Sequence, residues 1–360
     1  MARGRPYTLG CPGLDMKRLS LEFAQPYQVR LTVEPLQGPS QHQVLVQTIC
    51  SAISPGTEML VYRGQWPENV PVDDTIPALS GGFSFPLKYG YSAVGRVIEI
   101  GSEVDSHWLG KQVFSFNPHE SHFLAFPDHL ISLPASIVPE VAALLPNAET
   151  AVSFLMDGRP LIGEQVAVFG QGVVGLLTTA LLARFPLARL ITLDKYALRR
   201  QRSLEFGAEA SLDPAEPAVL DRIQQWVKAQ RSSDGFDLTY ELSGNPAALQ
   251  QAISVTGYGG RVVVGSWYGA KRADLELGGR FHRGRIRLMS SQVSRIAPEL
   301  TGLWTKSRRM GLALAMLQQL KPTNLITHRF SILQAAKAYD LLDRSPEEAI
   351  QVIFAYENLE

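Results

Sequence analysis

The chain has few cysteines and no excess of charge of either sign. Cys11 and Cys50 are its only cysteines in 360 residues, too few for a disulfide framework or a four-cysteine structural zinc site. Its 34 basic and 34 acidic residues balance, whereas proteins that grip nucleic acid usually carry a basic excess. We therefore expect neither a disulfide scaffold nor a nucleic-acid partner.

Long hydrophobic runs are also missing. The longest apolar tract, residues 173–183, contains two threonines and ends before Arg184, well short of the roughly 18 apolar residues that span a bilayer. Residues 1–13 contain Arg3 and Arg5 with no apolar segment behind them, which is not the pattern of a signal peptide. We expect a cytoplasmic protein without a membrane partner.

The composition supports a large core, because 45% of the residues are hydrophobic and 19% are charged. Up to about Pro139, short apolar runs alternate with Gly, Pro and Ser, a texture typical of a strand-rich domain with many turns. Beyond it, strand and helix patterns alternate, which predicts a parallel sheet with helices on both faces. The sequence therefore predicts an α/β protein with a β-rich domain, residues 1–150 rejoined by the tail 322–360, and a doubly wound parallel-sheet domain, residues 151–321.

The predicted elements of the second part follow one another closely. Strands are predicted at residues 166–170, 190–194, 236–242, 260–265 and 286–293, and near the end of the chain at 349–356. Helices are predicted at residues 141–156, 173–185, 198–206, 246–255, 308–320 and 333–342.

A G-x-G-x-x-G motif lies between the first of these strands and its helix. It consists of Gly170, Gly172 and Gly175, with Val173 and Val174 opening the helix. The first glycine allows a tight turn, the second lets the backbone approach a pyrophosphate, and the third lets the helix lie close to the strand. The helix N-terminus then offers free N–H groups to phosphate. This context predicts a dinucleotide-binding site.

The next strand ends at Asp194, 19 residues after the last glycine of the motif. A carboxylate there accepts hydrogen bonds from ribose hydroxyls and repels a 2′-phosphate, which favours NAD over NADP. Lys195 and Arg199 follow closely, and a cation beside the ribose can hold a 2′-phosphate, so NADP stays open. Because another domain of about 160 residues precedes the site, a nicotinamide enzyme is favoured over an FAD enzyme.

Five stretches carry a resemblance to a known family: residues 54–58, 89–97, 170–175, 240–245 and 259–265. With them the chain resembles the medium-chain dehydrogenase/reductase superfamily over nearly its whole length. The resemblance implies a GroES-like catalytic domain made from both chain ends, a Rossmann domain between them, and a substrate cleft at their junction. It also implies a homodimer or homotetramer.

The departures from this family concern zinc. Zinc-containing members have a Cys near the position of Ser54, a Gly-His-Glu where this chain has Gly90, Tyr91 and Ser92, and a Cys or Glu near Pro146. A tetrahedral zinc site cannot be formed by Ser54, Tyr91 and Pro146. The cysteine-rich lobe of zinc-containing members is also missing. We expect neither catalytic nor structural zinc, and no other metal.

Without zinc, other groups must handle the proton of an alcohol or polarise a carbonyl. Tyr91 takes the position of the zinc-binding histidine and is the first candidate for proton donor or acceptor. Ser54 and Thr57 are candidates for relaying a proton or binding substrate. Glu58 either orients these groups, contacts substrate, or pairs with Arg63 or Arg96.

Two histidines, His119 and His122, stand three positions apart. Residues at this spacing on a strand face opposite sides, which disfavours a shared metal ion. His119 remains a candidate for a substrate contact or a proton relay. A structural role is the alternative for it and for Tyr91.

Further contacts follow from the family and from positions at strand ends. Thr150 matches a family threonine that packs beside the nicotinamide. Residues predicted to contact the cofactor include Ser243, Gly265 and Ser266, and residues predicted to contact the substrate include Trp267, Tyr268 and Gln292.

Residues 271–309 contain ten basic and three acidic residues, a local charge of +7. A solvated face or an oligomer contact explains most such runs, and a pocket for an anionic substrate is the sharper interpretation. Together with Trp267 and Tyr268 it suggests a planar or anionic small-molecule substrate.

The sequence thus predicts a zinc-independent, NAD(P)-dependent oxidoreductase that interconverts a secondary alcohol and its ketone. Zinc-lacking relatives that reduce an activated C=C bond or a quinone supply the first alternative. A dinucleotide-binding sensor without catalysis is the second.

Overall fold

The computed structural model describes residues 16–67, 76, 79, 82–228 and 234–357. The segment 1–13, examined above for a signal peptide, and Cys11 lie outside these residues. No helix of the described residues combines the length and the apolar character needed to cross a membrane.

A mixed sheet of seven strands, counted over the described residues, is built from both ends of the chain. Its order is β15-β16-β3-β5-β6-β8, and β7 also pairs with β3. The strands are β3 (Val44–Ala52), β5 (Ala93–Ile100), β6 (Gln112–Ser115), β7 (His122–Ala125), β8 (Ile131–Ser132), β15 (Ile326–Ser331) and β16 (Gln351–Ala355). The tail strand β16 pairs antiparallel with β3, so Ile353 lies opposite Ala52. The tail therefore packs beside the first part of the chain.

A small antiparallel sheet covers one side of this region. It has the order β2-β1-β4, from β1 (Met16–Gln25), β2 (Gln28–Leu36) and β4 (Leu87–Lys88). Arg18 and Lys88 both contact Glu34 and Glu120, at 2.7–3.3 Å. This charge cluster ties the small sheet to the segment that precedes β7.

The second part of the chain forms a parallel sheet with the order β11-β10-β9-β12-β13-β14. Its strands are β9 (Gln165–Phe169), β10 (Arg189–Leu193), β11 (Ala210–Leu212), β12 (Phe236–Glu241), β13 (Thr256–Val264) and β14 (Arg287–Ser290). Counted from β9, this is the 3-2-1-4-5-6 order of a Rossmann sheet. The strand order reverses between β9 and β12, and dinucleotides bind at the carboxyl ends of the strands at such a point.

The described residues form helices at α1 (Glu58–Tyr62), α2 (Pro139–Ala142), α3 (Leu145–Gly158), α4 (Val173–Leu182), α5 (Ala197–Glu205), α6 (Val219–Lys228), α7 (Pro246–Val255), α8 (Lys306–Leu320) and α9 (Ala335–Arg344). Helix α3 packs against both large sheets. Its Ala148 lies in one hydrophobic core with Val94 and Ile353 of the mixed sheet, Leu176 of α4 and Leu317 of α8. Its Phe154 lies in a second core with Val166 and Val168 of β9. The two sheets that frame the candidate site are therefore connected by α3.

The predicted fold class is confirmed, and the differences concern element ends and two elements of the second part, β11 and α6, that the sequence does not predict. The helix predicted at residues 141–156 is divided into α2 and α3 at residues 143 and 144, because Pro146 in the first turn of α3 has no N–H to continue a helix from α2. The strand predicted at 286–293 is shorter, since β14 ends at Ser290. The boundary between residues 150 and 151 stays a prediction.

Candidate active site

The glycines of the G-x-G-x-x-G motif line the crevice at the carboxyl end of β9. Gly170 has φ +90°, and a Cβ there would lie 2.6 Å from the backbone of Ser243. A Cβ on Gly175 would lie 2.0 Å from Gly170 O, whereas a Cβ on Gly172 would meet no atom within 4 Å. Two of these glycines are therefore required by the protein's own packing, and the third leaves open space for a ligand.

The N-terminus of α4 opens onto this space. Gly172 is its N-cap residue and provides no side-chain hydrogen bond, so the first-turn N–H groups around Val173 and Val174 have no side-chain cap. Such a terminus attracts phosphate through its N–H groups and its dipole. The open space at Gly172 and the uncapped helix together fit a dinucleotide pyrophosphate.

Asp194 stands next to the glycine turn, directly after β10. Its Oδ2 accepts the N–H of Gln171 at 2.7 Å and its Oδ1 accepts the N–H of Tyr196 at 2.8 Å. Each carboxylate oxygen keeps further acceptor capacity, so this geometry leaves room for ribose hydroxyl donors. The arrangement fits the ribose contact that the sequence predicts.

The two cations after Asp194 differ in their surroundings. Lys195 is exposed, with its Nζ 4.6 Å from the ring centroid of Tyr196. The guanidinium of Arg199 donates to Pro346 O and Ala349 O, both at 3.0 Å, and burial lowers the pKa of this group. Arg199 thus holds the tail against α5, and its contact with the cofactor stays a prediction. Lys195 remains the candidate cation for a 2′-phosphate.

The ends of β12 and β13 form the other wall of the crevice. Glu241 is fully buried and accepts hydrogen bonds from Ser243 and from the hydroxyl of Tyr268. Burial beside this carboxylate raises the pKa of Tyr268. Ser266 Oγ accepts the N–H of Gly244 at 2.8 Å. The predicted cofactor residues Ser243 and Ser266 therefore lie together, and Tyr268 is bonded to protein rather than presented to a substrate.

Helix α3 supplies two more features of this wall. The hydroxyl of Thr150 donates to Pro146 O at 2.8 Å, within its own helix. A Cβ on Gly265 would lie 2.3 Å from the ring of Phe154. Gly265 therefore allows the end of β13 to pack closely on α3.

Three hydroxyl groups meet at the turn before α1. The phenol of Tyr91 donates to Ser54 Oγ and lies 3.4 Å from Thr57 Oγ1. All three side chains are partly exposed. The structure thus brings together the Tyr91, Ser54 and Thr57 that the sequence singled out, and places them at the surface of the β-rich part.

Glu58 and His119 lie behind this turn, both with 0% exposure. His119 Nε2 is 2.9 Å from Glu58 Oε2, and Glu58 Oε1 accepts the N–H of Ser54 at 2.7 Å. Glu58 is thus bonded within the protein, and Arg63 pairs with Asp343 instead. Neither Glu58 nor His119 reaches the surface in this structure, and substrate contacts by these two residues stay predictions.

The residues at the family's zinc positions do not fit zinc. Tyr91 and Ser54 offer hydroxyls bonded to one another, and Pro146 offers only a backbone carbonyl, which already accepts Thr150. Zinc in proteins prefers thiolate, imidazole and carboxylate ligands. In the described parts of the chain, no group of three or more His, Cys, Asp or Glu side chains is placed to hold a metal. His122 forms a hydrogen bond with Ser121, whereas His119 forms one with Glu58.

Aromatic rings extend from the hydroxyl cluster to the second domain. Tyr91 contacts Tyr89, with centroids 6.2 Å apart, and Tyr89 contacts Trp66 at 5.9 Å. Trp66 stacks on Phe83 at 5.5 Å and meets the edge of Trp267 at 4.7 Å. Trp267 is 44% exposed. This row of rings links Tyr91 to the predicted substrate residue Trp267.

The remaining sequence predictions are dispersed. Gln292 is exposed and forms hydrogen bonds with its near neighbour Ser294, at 2.7–2.8 Å. In the basic segment, Arg280 pairs with Asp234, and Arg309 is buried against Glu149 at 2.9 Å. Arg280 and Arg309 are therefore already paired with carboxylates of the protein, and an anion pocket in this segment stays a prediction.

Sequence reasoning missed the residues that support the site. Ser51 and Tyr356 bond one another at 2.8 Å, and Tyr339 donates to Glu58 at 2.7 Å. They come from β3, from α9 and from the position after β16, so no local spacing connects them. Gln171, fully buried inside the motif, was also not singled out.

The family model of the zinc-binding dehydrogenases matches residues 173–306 of this chain. An L-threonine 3-dehydrogenase of Anaeromyxobacter sp. (strain K) is 24% identical over 353 residues, covering 86% of this chain and 90% of that protein.

Two solved structures show the same fold. One is 2R,3R-butanediol dehydrogenase from Bacillus subtilis, with a TM-score of 0.76, 18% identity, and coverage of 94% of this chain and 99% of that chain. The other is a short chain alcohol dehydrogenase from E. coli CFT073, solved with the cofactor NADH, with a TM-score of 0.75, 16% identity and the same coverage.

Proposed function

The chain belongs to the medium-chain dehydrogenase/reductase superfamily, and we propose that it is an NAD(P)-dependent oxidoreductase that interconverts a secondary alcohol and its ketone without zinc. The observation that carries this proposal is the cluster of the Tyr91, Ser54 and Thr57 hydroxyls. The family resemblance matches Tyr91 and Ser54 with metal-ligand positions of zinc-containing members. The relatives named above, a threonine dehydrogenase and a butanediol dehydrogenase, support the general class of reaction.

The glycine crevice would hold the nicotinamide cofactor. Gly172 and the uncapped end of α4 would receive the pyrophosphate, and Asp194 would accept the ribose hydroxyls. NAD is the preferred cofactor in this proposal, because Asp194 repels a 2′-phosphate and Arg199 is bonded to the tail. When bound, the cofactor supplies or receives the hydride at the ring carbon C4.

Tyr91 would manage the proton. During ketone reduction its phenol donates a hydrogen bond, and then the proton, to the carbonyl oxygen, and during alcohol oxidation it takes that proton back. In the unliganded arrangement the phenol donates to Ser54 Oγ, with Thr57 Oγ1 at 3.4 Å. When the phenol hydrogen turns to the carbonyl, the Ser54 and Thr57 hydroxyls would donate to the phenol oxygen and stabilise it as its proton leaves. A positioned hydroxyl at this place can therefore replace the Lewis acid of the zinc-containing members.

The row of aromatic rings supports a planar substrate. Trp267 is 44% exposed and makes a T-shaped contact with Trp66, which lies two rings away from Tyr91. Flat apolar molecules gain from such ring contacts. The anionic character proposed from residues 271–309 has less support, because Arg280 and Arg309 are already paired.

Titration and turnover test this function together. NADH and NADPH binding would be followed by nicotinamide fluorescence, and NADH oxidation would be measured with acetophenone, 2-butanone, 2-cyclohexenone and menadione. We expect tighter binding of NADH than of NADPH and the highest kcat/KM with acetophenone. Turnover of only 2-cyclohexenone or menadione would favour the C=C or quinone reductase, and binding without turnover of any of the four would favour the sensor.

The cytoplasmic location and the homodimer or homotetramer stay predictions. Size-exclusion chromatography with light scattering would test the assembly.

A further inference from the structure

The imidazole of His119 is held at both of its nitrogens inside the β-rich part of the molecule. Nε2 lies 2.9 Å from Glu58 Oε2, and Nδ1 lies 2.7 Å from Ser51 Oγ. Because a carboxylate only accepts, Nε2 carries the hydrogen of the first contact. Nδ1 then accepts from the Ser51 hydroxyl, which in turn accepts from Tyr356 at 2.8 Å.

Through Glu58, the imidazole is connected to the turn that carries Ser54. Glu58 Oε1 accepts the N–H of Ser54 at 2.7 Å, while the N–H of Glu58 donates to Ser54 O at 2.9 Å. Tyr339 of α9 donates to Oε2 at 2.7 Å. The carboxylate is therefore fixed by donors from three separate segments of the chain and in turn fixes the Ser54 backbone.

The imidazole also packs against the backbone that precedes Tyr91. Gly90 has φ +112°, and a Cβ on it would lie 2.8 Å from both Cδ2 and Nε2 of His119. The N–H of His119 donates to Tyr89 O at 3.4 Å. The ring thus lies between the two stretches of backbone that bring Ser54 and Tyr91 together.

A carboxylate without exposure is an expensive way to stabilise a protein, because it loses its hydration. Apolar residues of similar volume usually stabilise a core as well or better. What a fully hydrogen-bonded buried pair does provide is a single, rigid arrangement of the segments that it joins. Here those segments carry the proposed proton-handling hydroxyls.

We propose that His119 and Glu58 are positioning residues, which set the distance between the Tyr91 phenol and the Ser54 hydroxyl. This inference rests on the proposed function, because it assigns the pair to the support of the Tyr91 chemistry. The pair does not relay protons from Ser54, because Glu58 accepts the backbone N–H of Ser54 rather than the Ser54 hydroxyl. Its effect is on geometry, and a displacement of about 1 Å at a reacting group can cost about 100-fold in rate.

Two substitutions of His119 separate this role from a general loss of packing. His119→Gln keeps an N–H near the position of Nε2, facing Glu58, whereas His119→Asn is too short for that contact. Glu58→Leu removes the other partner at similar volume. Glu120→Gln is the matched control, because Glu120 is also buried and bonded to Ser20 and Asn117 but does not contact the Ser54 turn.

Two readouts would be measured for each folded, NADH-binding variant of the full chain. The ¹⁹F resonance of Tyr91 would be followed in protein labelled with 3-fluorotyrosine and assigned with Tyr91→Phe. Turnover of acetophenone with NADH would be normalised to the NADH-binding sites. For His119→Asn and Glu58→Leu we expect a displaced Tyr91 resonance and a kcat lower by about 10- to 100-fold, with the Kd of NADH unchanged. His119→Gln and Glu120→Gln should keep both readouts close to the original values.

An unmoved Tyr91 resonance in folded His119→Asn and Glu58→Leu would overturn the proposal. An equal loss of kcat in His119→Gln and His119→Asn would also overturn it, because the N–H that glutamine retains would then have no effect. If the unsubstituted protein binds NADH and turns over no ketone, the proposed function fails. The resonance of Tyr91 would still decide whether the pair positions it.

Discussion

The phenol of Tyr91 donates its hydrogen bond to Ser54 Oγ, across 37 residues of chain. Tyr91 lies two residues before β5, and Ser54 begins the turn before α1. The family resemblance matches these two positions with metal ligands of zinc-containing members. The contact therefore places a proton-bearing group where the family otherwise uses a Lewis acid, and the predictions below follow from it and from the crevice beside it.

Tyr91→Phe removes the phenolic hydroxyl and leaves the ring. We expect kcat for acetophenone reduction to fall by about 100-fold or more, because general acid catalysis contributes about 10²–10⁴-fold. The Kd of NADH should not change. Tyr258→Phe, at a tyrosine that is 68% exposed, is the control. Full activity of Tyr91→Phe with 2-cyclohexenone would instead assign the enzyme to C=C reduction.

Gly172→Ala and Gly175→Ala are chemically identical changes with opposite expected effects. A Cβ at residue 172 meets no protein atom within 4 Å, so we expect an unchanged Tm and loss of NADH binding. A Cβ at residue 175 would lie 2.0 Å from Gly170 O, so we expect a lower Tm. Thermal unfolding and fluorescence titration measure the two quantities. Normal NADH binding by Gly172→Ala would contradict the placement of the pyrophosphate.

Arg309 and Glu149 form a buried ion pair between α8 and α3, with N and O atoms 2.9 Å apart. Burial raises the pKa of Glu149, and the nearby Arg309 opposes that rise without cancelling it. Removing the cation alone leaves an unpaired buried carboxylate, so Arg309→Met should lower the free energy of unfolding by about 3–5 kcal/mol.

The double variant Arg309→Met/Glu149→Met should recover most of that loss, because the uncompensated charge is then gone as well. Urea denaturation of both variants provides the comparison. A double variant as unstable as Arg309→Met would show that the cost comes from the bonds of Arg309 to Ser153 and Arg295 O instead.

Glu34 makes the stability of the folded protein depend on pH in the acid range. Its hydrogen bond with Lys88 lowers the pKa of its carboxyl from the ordinary value of 4.5, and Arg18 adds to this effect. Because the folded value is the lower one, the stabilisation is present above about pH 4.5 and is lost as pH falls through the folded pKa. Glu34→Gln should therefore lower stability at pH 7, by about 1 kcal/mol or less, since the group is partly exposed. Equal stability differences at pH 7 and pH 3 would refute this.

The proposed dinucleotide crevice could be predicted from the sequence. The residues that hold the hydroxyls of Tyr91, Ser54 and Thr57 in place could not. Gly170, Gly175 and Asp194 act within one strand–helix–strand unit, so their spacing reflects their geometry. The contact between His119 and Glu58 joins residues 61 positions apart, and Tyr339 reaches Glu58 from 281 positions away. Such contacts depend on how the sheets pack, which no local pattern encodes.

The same difference explains why Glu58 and Arg199 are bonded within the protein at places where the sequence predicts ligand contacts. Glu58 follows a polar turn and resembles a surface carboxylate in sequence, yet α9 and the segment before β7 enclose it. Arg199 stands where a phosphate-binding cation is expected, but the tail returns to the first part of the chain and offers it the carbonyls of Pro346 and Ala349. In both cases the deciding partner comes from the C-terminal segment.

The most direct test of the account is ketone reduction measured before and after removal of metal ions. The purified protein would be dialysed against a strong chelator, its zinc content determined by mass spectrometry, and its rate of NADH oxidation with acetophenone measured on the same sample. The account predicts an unchanged rate with far less than one zinc per chain. A rate that disappears on chelation and returns with one zinc per chain would contradict the assignment of the proton chemistry to Tyr91.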